Sequence, residues 1–166
     1  MPLVEVIQTE HTDPAAIATV IALLTRLGKT PVHVKKDVPG FIGNRLQHAL
    51  WREAIHLVAE GVCDAATLDT VVKSSFGRRL AVLGPLENAD MVGTDLALDI
   101  QRVLLQHLAG SAAPTDMLVR MVADGELGFK SNHGFYDWDE ARKSALRNAV
   151  RDHLIALEAM LDNKSP

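Results

Sequence analysis

Three polar residues in this chain sit where chemistry could be done. Glu5 lies in the middle of the apolar run Leu3–Ile7, LVEVI. A strand buried on both faces is apolar throughout, so a carboxylate there must face solvent, find a partner or serve a site. By periodicity alone, exposure at a sheet edge is the simplest account of it. Asn44 stands where a long helix is expected to begin, and locally reads as a helix cap. Lys130 lies in a loop just before Gly134-Phe135-Tyr136, and locally reads as a surface lysine. Glu53, beside an apolar stripe, is accounted for by a local pair with Arg52 or His56.

Other chemistries find less support. The seven histidines (11, 33, 48, 56, 107, 133 and 153) form no His-x-x-x-His and no pair with a cysteine. His48 and His56 are about two helical turns apart and share a face only loosely. The spacing therefore argues against a metal site. The chain contains neither G-x-G-x-x-G nor a P-loop, and Gly40 and Gly43 follow a strand at the wrong spacing for either. Those two glycines read as turn geometry and close packing at a helix start. No G-x-S-x-G is present, and Cys63 has no histidine at a recognisable motif spacing.

The elements that must position these residues follow from patterning. Leu3 to Ile7 is strand-like. Thr12-Asp13-Pro14 can start a helix, and Ile17, Val20, Ile21, Leu24 and Leu27 continue it at helical spacing up to Gly28. Pro31 to Val34 is a second short strand. This makes one β-α-β unit, which needs neighbouring strands to bury its faces. It reads as the last piece of a larger α/β domain. Beyond Gly40 the pattern is helical. Leu46, Ala49, Leu50, Ala54, Leu57 and Val58 form one stripe ending at Gly61. Further helices are predicted from Asp64 through Val72, from Gly84-Pro85 with an interruption at Gly93, onward to Gly110, from Pro114 to Val122, and from about Asp139 to Met160. Gly77-Arg78-Arg79 reads as a loop, and the charged run Arg142 to Arg151 as a solvated helix face. The fold class expected is mainly α: a multi-helix domain preceded by a residual β-α-β piece.

Composition agrees with a folded domain. The 166 residues are 48% hydrophobic and 23% charged, with net charge −4. An acidic balance argues against nucleic acid as a partner. The apolar runs are broken by charges well short of membrane-spanning length, so no membrane partner is expected. A single cysteine allows no internal disulfide and suits a reducing, cytoplasmic setting. The several long apolar stripes point to pairing with another subunit. Because the strand-like run begins at once after Met1, the sequence is expected to start inside a fold, and its strands to swap, pair with another chain or fray.

Taken in order, PLVEV, LGKTPVHVKKDVPGFIGNRL, EAIHLVAEGV, GPLENADMVGTD and HGFYDW resemble the NAD-dependent L-3-hydroxyacyl-CoA dehydrogenase family over essentially the whole chain. DVPGFIGNRL followed by GP-L-E-x-x-D-x-VG is the specific combination. The resemblance implies that residues 1–36 are the last β-α-β portion of an NAD-binding Rossmann domain. Residues 37–166 would be the all-helical domain that completes the substrate site and forms a homodimer. The implied reaction oxidises a 3-hydroxyacyl-CoA to the 3-ketoacyl-CoA, in fatty-acid metabolism. A histidine takes the hydroxyl proton while hydride passes to NAD. Glu5 matches the glutamate that orients this histidine, and Asn44 the asparagine that contacts the reacting end of the substrate. Lys130 matches a lysine that reaches the cofactor, although GFKSNHGFY departs from the more usual GKKTGxGFY.

In the family the histidine lies in an HFFNP-like motif shortly upstream of PLVEV, and the glycine-rich NAD loop lies further upstream. None of the seven histidines here takes that position. The expectation is the C-terminal part of such an enzyme, inactive alone and holding no NAD by itself. Two rivals are part of a dehydrogenase of small 3-hydroxy acids (gulonate or carnitine type), which LWREAIHLVAEG also resembles, and a stand-alone helical dimerisation module.

Overall fold

A computed structural model of the chain describes residues 2–162. Met1 and residues 163–166, the outer ends of the two expected domains, lie outside the described residues. The chain forms two compact units, Met1–Ala54 and Ile55–Pro166.

In the first unit, β1 (Leu3–Ile7) and β2 (Thr30–Val34) pair in parallel, with Glu5 opposite Val32, and α1 (Pro14–Arg26) connects them. Asp13 caps α1 by accepting the Ala15 N–H at 2.8 Å, and Pro14 occupies the first turn, where its missing donor costs nothing. α1 lies on both strands. Ile17 and Val34 are buried, which makes the face between helix and sheet the core of this unit. The mainly-α reading with a residual Rossmann piece describes the architecture correctly.

α2 (Gly43–Ala59) begins in the first unit, and the division between units falls within it. The second unit continues with α3 (Ala65–Ser74), α4 (Pro85–Val92), α5 (Thr94–Leu104), α6 (Asp116–Ala123) and α7 (Glu140–Asp162). Side chains set the starts. Asp64 Oδ1 accepts from Thr67 N at 2.7 Å, Thr115 Oγ1 from Leu118 N at 3.3 Å, and Asp139 Oδ1 from Arg142 N at 2.6 Å. At α4 the cap is reversed: Glu87 reaches back to accept the Gly84 N–H at 2.7 Å.

Several boundaries differ from the sequence expectation. α6 begins at Asp116, later than a start at Pro114 would place it, because the Thr115 hydroxyl accepts the Leu118 N–H and caps the helix. α5 stops at Leu104, well before Gly110. There the His107 N–H turns back to the Leu104 carbonyl, and the Gln106 side chain takes the Arg102 carbonyl. The Gly77-Arg78-Arg79 stretch is a 3₁₀ turn, Phe76–Arg79. The Arg142–Arg151 run is not wholly solvated. Lys143 is only 5% exposed, its ammonium held by Asn132 Oδ1 at 2.5 Å and Glu140 Oε1 at 2.7 Å.

Candidate functional site

Two local arrangements hold the residues singled out from sequence. The first is in Met1–Ala54. Glu5 is half-buried, not open at a sheet edge. Its Oε1 accepts two backbone N–H groups, from Ile42 at 2.8 Å and Gly43 at 3.2 Å. These are donors at the start of α2, left without intrahelical partners, and the positive end of the helix favours a carboxylate there. The cap of α2 is therefore Glu5, not Asn44. Asn44 is the second residue of the helix, exposed, and its amide makes no hydrogen bond among the described residues. A carboxylate far away in sequence already occupies the donors at the helix start.

The turn that delivers these donors is strained. Gly40 and Phe41 both have positive φ, +80° and +48°. For phenylalanine the left-handed region costs about 1–2 kcal/mol. The Phe41 N–H bonds the Val38 carbonyl at 3.0 Å, and Arg45 Nη1 bonds the Pro39 carbonyl at 3.3 Å. With Glu5 on the next two amides, the turn is held at both ends. Gly43 leaves space beside the second carboxylate oxygen: a methyl group there would sit 3.8 Å from Glu5 Oε2. The arrangement thus brings Glu5 and the helix start bearing Asn44 together, with one carboxylate oxygen engaged and one uncovered by Gly43.

The second arrangement is in Ile55–Pro166. Lys130 sits in a turn between α6 and α7, exposed, and makes no hydrogen bond or ion pair among the described residues. The loop around it is tied at many points. Gly128 N donates to His133 O at 2.6 Å, Leu127 N to Ser131 Oγ at 2.7 Å and Trp138 N to Asn132 O at 2.8 Å. Asn132, at φ +65°, is the residue whose side chain Lys143 grips. The Tyr136 hydroxyl donates to Asp69 Oδ2 on α3 at 2.9 Å. Burial first, and then Asp69, push its phenol up to about 12. Arg142 stacks 4.6 Å from the Trp138 ring and 5.1 Å from that of Tyr136.

His133 Nδ1 lies 2.5 Å from Asp137 Oδ1, and Nε2 lies 3.5 Å from Glu126 Oε1. The bond to Asp137, followed by the charges of Asp137 and Glu126, raises the imidazole above the ordinary histidine value. Sequence reasoning passed over His133, Tyr136 and Lys143. The i, i+4 spacing of His133 and Asp137 was the available signal for the first. Nothing local pointed to Asp69 as the partner of Tyr136, which is far away in sequence.

A parallel β-α-β piece that runs through a carboxylate-held turn into consecutive helices has the form of the end of an α/β sheet followed by a helical domain. Residues 1–38 match the NAD-binding domain of 3-hydroxyacyl-CoA dehydrogenase, and residues 40–138 match its C-terminal domain. The chain belongs to the 3-hydroxyacyl-CoA dehydrogenase family.

Among its relatives, 5-formyl-3-hydroxy-2-methylpyridine 4-carboxylate 5-dehydrogenase of Mesorhizobium japonicum is 35% identical, covering 99% of this chain and 53% of that protein. A probable 3-hydroxybutyryl-CoA dehydrogenase of Bacillus subtilis is 40% identical, covering 84% and 48%. L-carnitine dehydrogenase of Pseudomonas syringae is 32% identical, covering 99% and 52%. The crystal structure of a 5-formyl-3-hydroxy-2-methylpyridine 4-carboxylic acid 5-dehydrogenase, an NAD+-dependent dismutase, superposes with a TM-score of 0.93 at 35% identity, over 99% of this chain and 53% of that one. The chain spans about half the length of these relatives.

Proposed function

We propose that this chain supplies the substrate-facing half of an NAD-dependent dehydrogenase that interconverts a hydroxyl and a carbonyl carbon, with a 3-hydroxyacyl-CoA thioester as the substrate. The observation that carries the reading is the Glu5 carboxylate on the N-terminus of α2. It fixes the helix start bearing Asn44 to the strand bearing Glu5, the two residues that match the family's glutamate and asparagine. Glu5 Oε1 is committed to the helix, so Oε2 is the oxygen left to orient an imidazole. Asn44, exposed and without an intramolecular partner, has its amide available to a substrate oxygen. Lys130, on a tightly tied loop, offers a positive charge to the cofactor.

The histidine and glycine-rich loop of this chemistry are not among these 166 residues. The chain by itself is therefore expected neither to turn over substrate nor to hold NAD. A second reading is favoured by the likeness at TM-score 0.93, together with the carnitine enzyme: a small hydroxy or aldehyde carboxylic acid as substrate. Thermal-shift measurements of the chain with acetoacetyl-CoA, L-carnitine and the pyridine carboxylate, each repeated on Asn44→Ala, separate the two. Stabilisation by acetoacetyl-CoA that Asn44→Ala abolishes supports the first reading; stabilisation by a small acid alone replaces it with the second. An NADH-linked assay with acetoacetyl-CoA tests the expected inactivity, which clear turnover by the chain would overturn.

The same reading has the helical unit forming a homodimer. α5 leaves Leu96, Ile100, Val103 and Leu104 each at least 44% exposed along one helix. An apolar stripe of that kind suits a partner helix. Sedimentation of a monomer alone at micromolar concentration would count against it.

A further inference from the structure

His133 organises the loop that carries Lys130, yet the proposed reaction does not use it. Its carbonyl oxygen accepts from the Gly128 N–H at 2.6 Å and the Ser131 hydroxyl at 2.9 Å. Its ring meets Asp137 through Nδ1 at 2.5 Å and Glu126 through Nε2 at 3.5 Å. The two nitrogens face opposite ways, so these three side chains cannot close on one metal ion. Among the described residues no group of three or more His, Cys, Asp or Glu could hold one.

Lys130, on the same loop, is exposed and makes no ion pair with either carboxylate among the described residues, and two further cations nearby are engaged elsewhere. Lys143 holds Asn132 and Glu140. Arg142 donates to the Asp137 backbone carbonyl and stacks over Tyr136 and Trp138. Among the described residues, the imidazole is thus the cation that meets both the Glu126 and the Asp137 carboxylates. A neutral imidazole keeps its hydrogen bond to Asp137 but has no charge to attract Glu126 across 3.5 Å, whereas an imidazolium attracts both carboxylates.

We propose that His133 is a proton-operated latch on the loop from Glu126 to Trp138: protonated, it ties Glu126 to Asp137 across the loop, and neutral, it keeps Asp137 and releases Glu126. The shorter contact survives because its single N–H is best placed there. The direction in pH follows from the raised imidazole value, whose largest cause is the Asp137 bond. A histidine in an unfolded chain titrates near about 6.5. The latch is fully shut below that value and opens as pH rises through the higher folded value. Lys130 lies between Glu126 and His133, so release loosens the segment that bears it. That last consequence rests on the proposed cofactor role of Lys130; the latch does not.

A pH titration of the 166-residue chain by two-dimensional amide and imidazole NMR tests the proposal without cofactor or substrate. The His133 ring should titrate above the free-histidine value. The amides of Leu127, Gly128 and Ser131 should shift and lose exchange protection with the same midpoint. Glu126→Gln should abolish that coupled amide response while the His133 ring still titrates against Asp137, and His133→Gln should abolish the midpoint altogether. Loop amides that stay flat through the His133 midpoint, or a Glu126→Gln chain whose amides respond like the parent, would overturn the latch. Loss of the proposed enzymatic reading would leave these readouts unchanged.

Discussion

The Oε1 oxygen of Glu5, in the middle of β1, accepts the backbone N–H of Ile42 at 2.8 Å and so closes the start of α2. A strand carboxylate here does the work usually left to a serine or aspartate next to the helix. Glu5→Ala should remove two charge-assisted bonds and release the strained Phe41 turn, lowering stability by about 1–2 kcal/mol. Glu5→Gln, which keeps an acceptor oxygen, should lose less than half of that. Denaturant unfolding of the three chains checks the order, and an unchanged Glu5→Ala midpoint would refute the capping role.

Asn44 gives the opposite expectation. It is exposed and takes no part in the cap. Asn44→Ala should leave stability within about 0.5 kcal/mol of the parent, since alanine is also the better helix former. A loss above about 1 kcal/mol on unfolding would return it to a structural role.

Tyr136 is the single tyrosine of the chain, so its ionisation can be read directly by ultraviolet titration. With burial and Asp69 pushing the phenol to about 12, phenolate should appear far above the ordinary value near about 10. The sign for stability follows. The unfolded chain gives up this proton first, so the contribution of Tyr136 is complete below about pH 10 and is lost as pH rises towards 12. Asp69→Asn should bring the midpoint partway down, because burial remains. A parent midpoint near 10 would contradict the Tyr136–Asp69 bond.

Gly134 allows two backbone segments to touch. A Cβ there would lie 2.8 Å from Gly128 Cα and 2.9 Å from Gly128 N. Backbone cannot move aside as a side-chain tip can, so Gly134→Ala should cost about 1–3 kcal/mol. It should also open the Gly128–His133 bridge. Thermal unfolding reads the first effect, and loss of exchange protection at the Gly128 amide reads the second.

Lys143→Ala should strip Asn132 of its partner at a left-handed position and cost about 1–3 kcal/mol. It should also restore Glu140 towards an ordinary carboxylate, since the Lys143 bond is the largest cause of its lowered value. The parent's Glu140 contribution is present above the unfolded glutamate value and fades as pH falls through the lower folded one. Carboxylate NMR of parent and variant checks the shift, and an unmoved Glu140 would sink it.

Much of the architecture was legible in the residues. LVEVI and the Pro31–Val34 run are locally strand-like, and a helix-period stripe lies between them, so a parallel β-α-β pair follows from short-range pattern. Asp13, Asp64 and Asp139 announce helix starts because a cap acts within three residues of its own position. The order of motifs placed the chain in its family before any contact was known.

Tertiary structure decided where the polar side chains are spent. Periodicity assigned Glu5 to an open edge and Asn44 to the cap, yet the fold folds β1 back on the turn after Pro39 and hands the cap to Glu5. It likewise buries Lys143 from a run that reads as solvated, and aims Tyr136 at Asp69. Glu5 and Tyr136 each meet a partner supplied by a distant segment, and Lys143 meets one in the loop that precedes its helix. Sequence pattern determines which backbone a segment adopts, through forces that act over a turn or two. Which carboxylate reaches which donor depends on distances that exist only once the segments have packed.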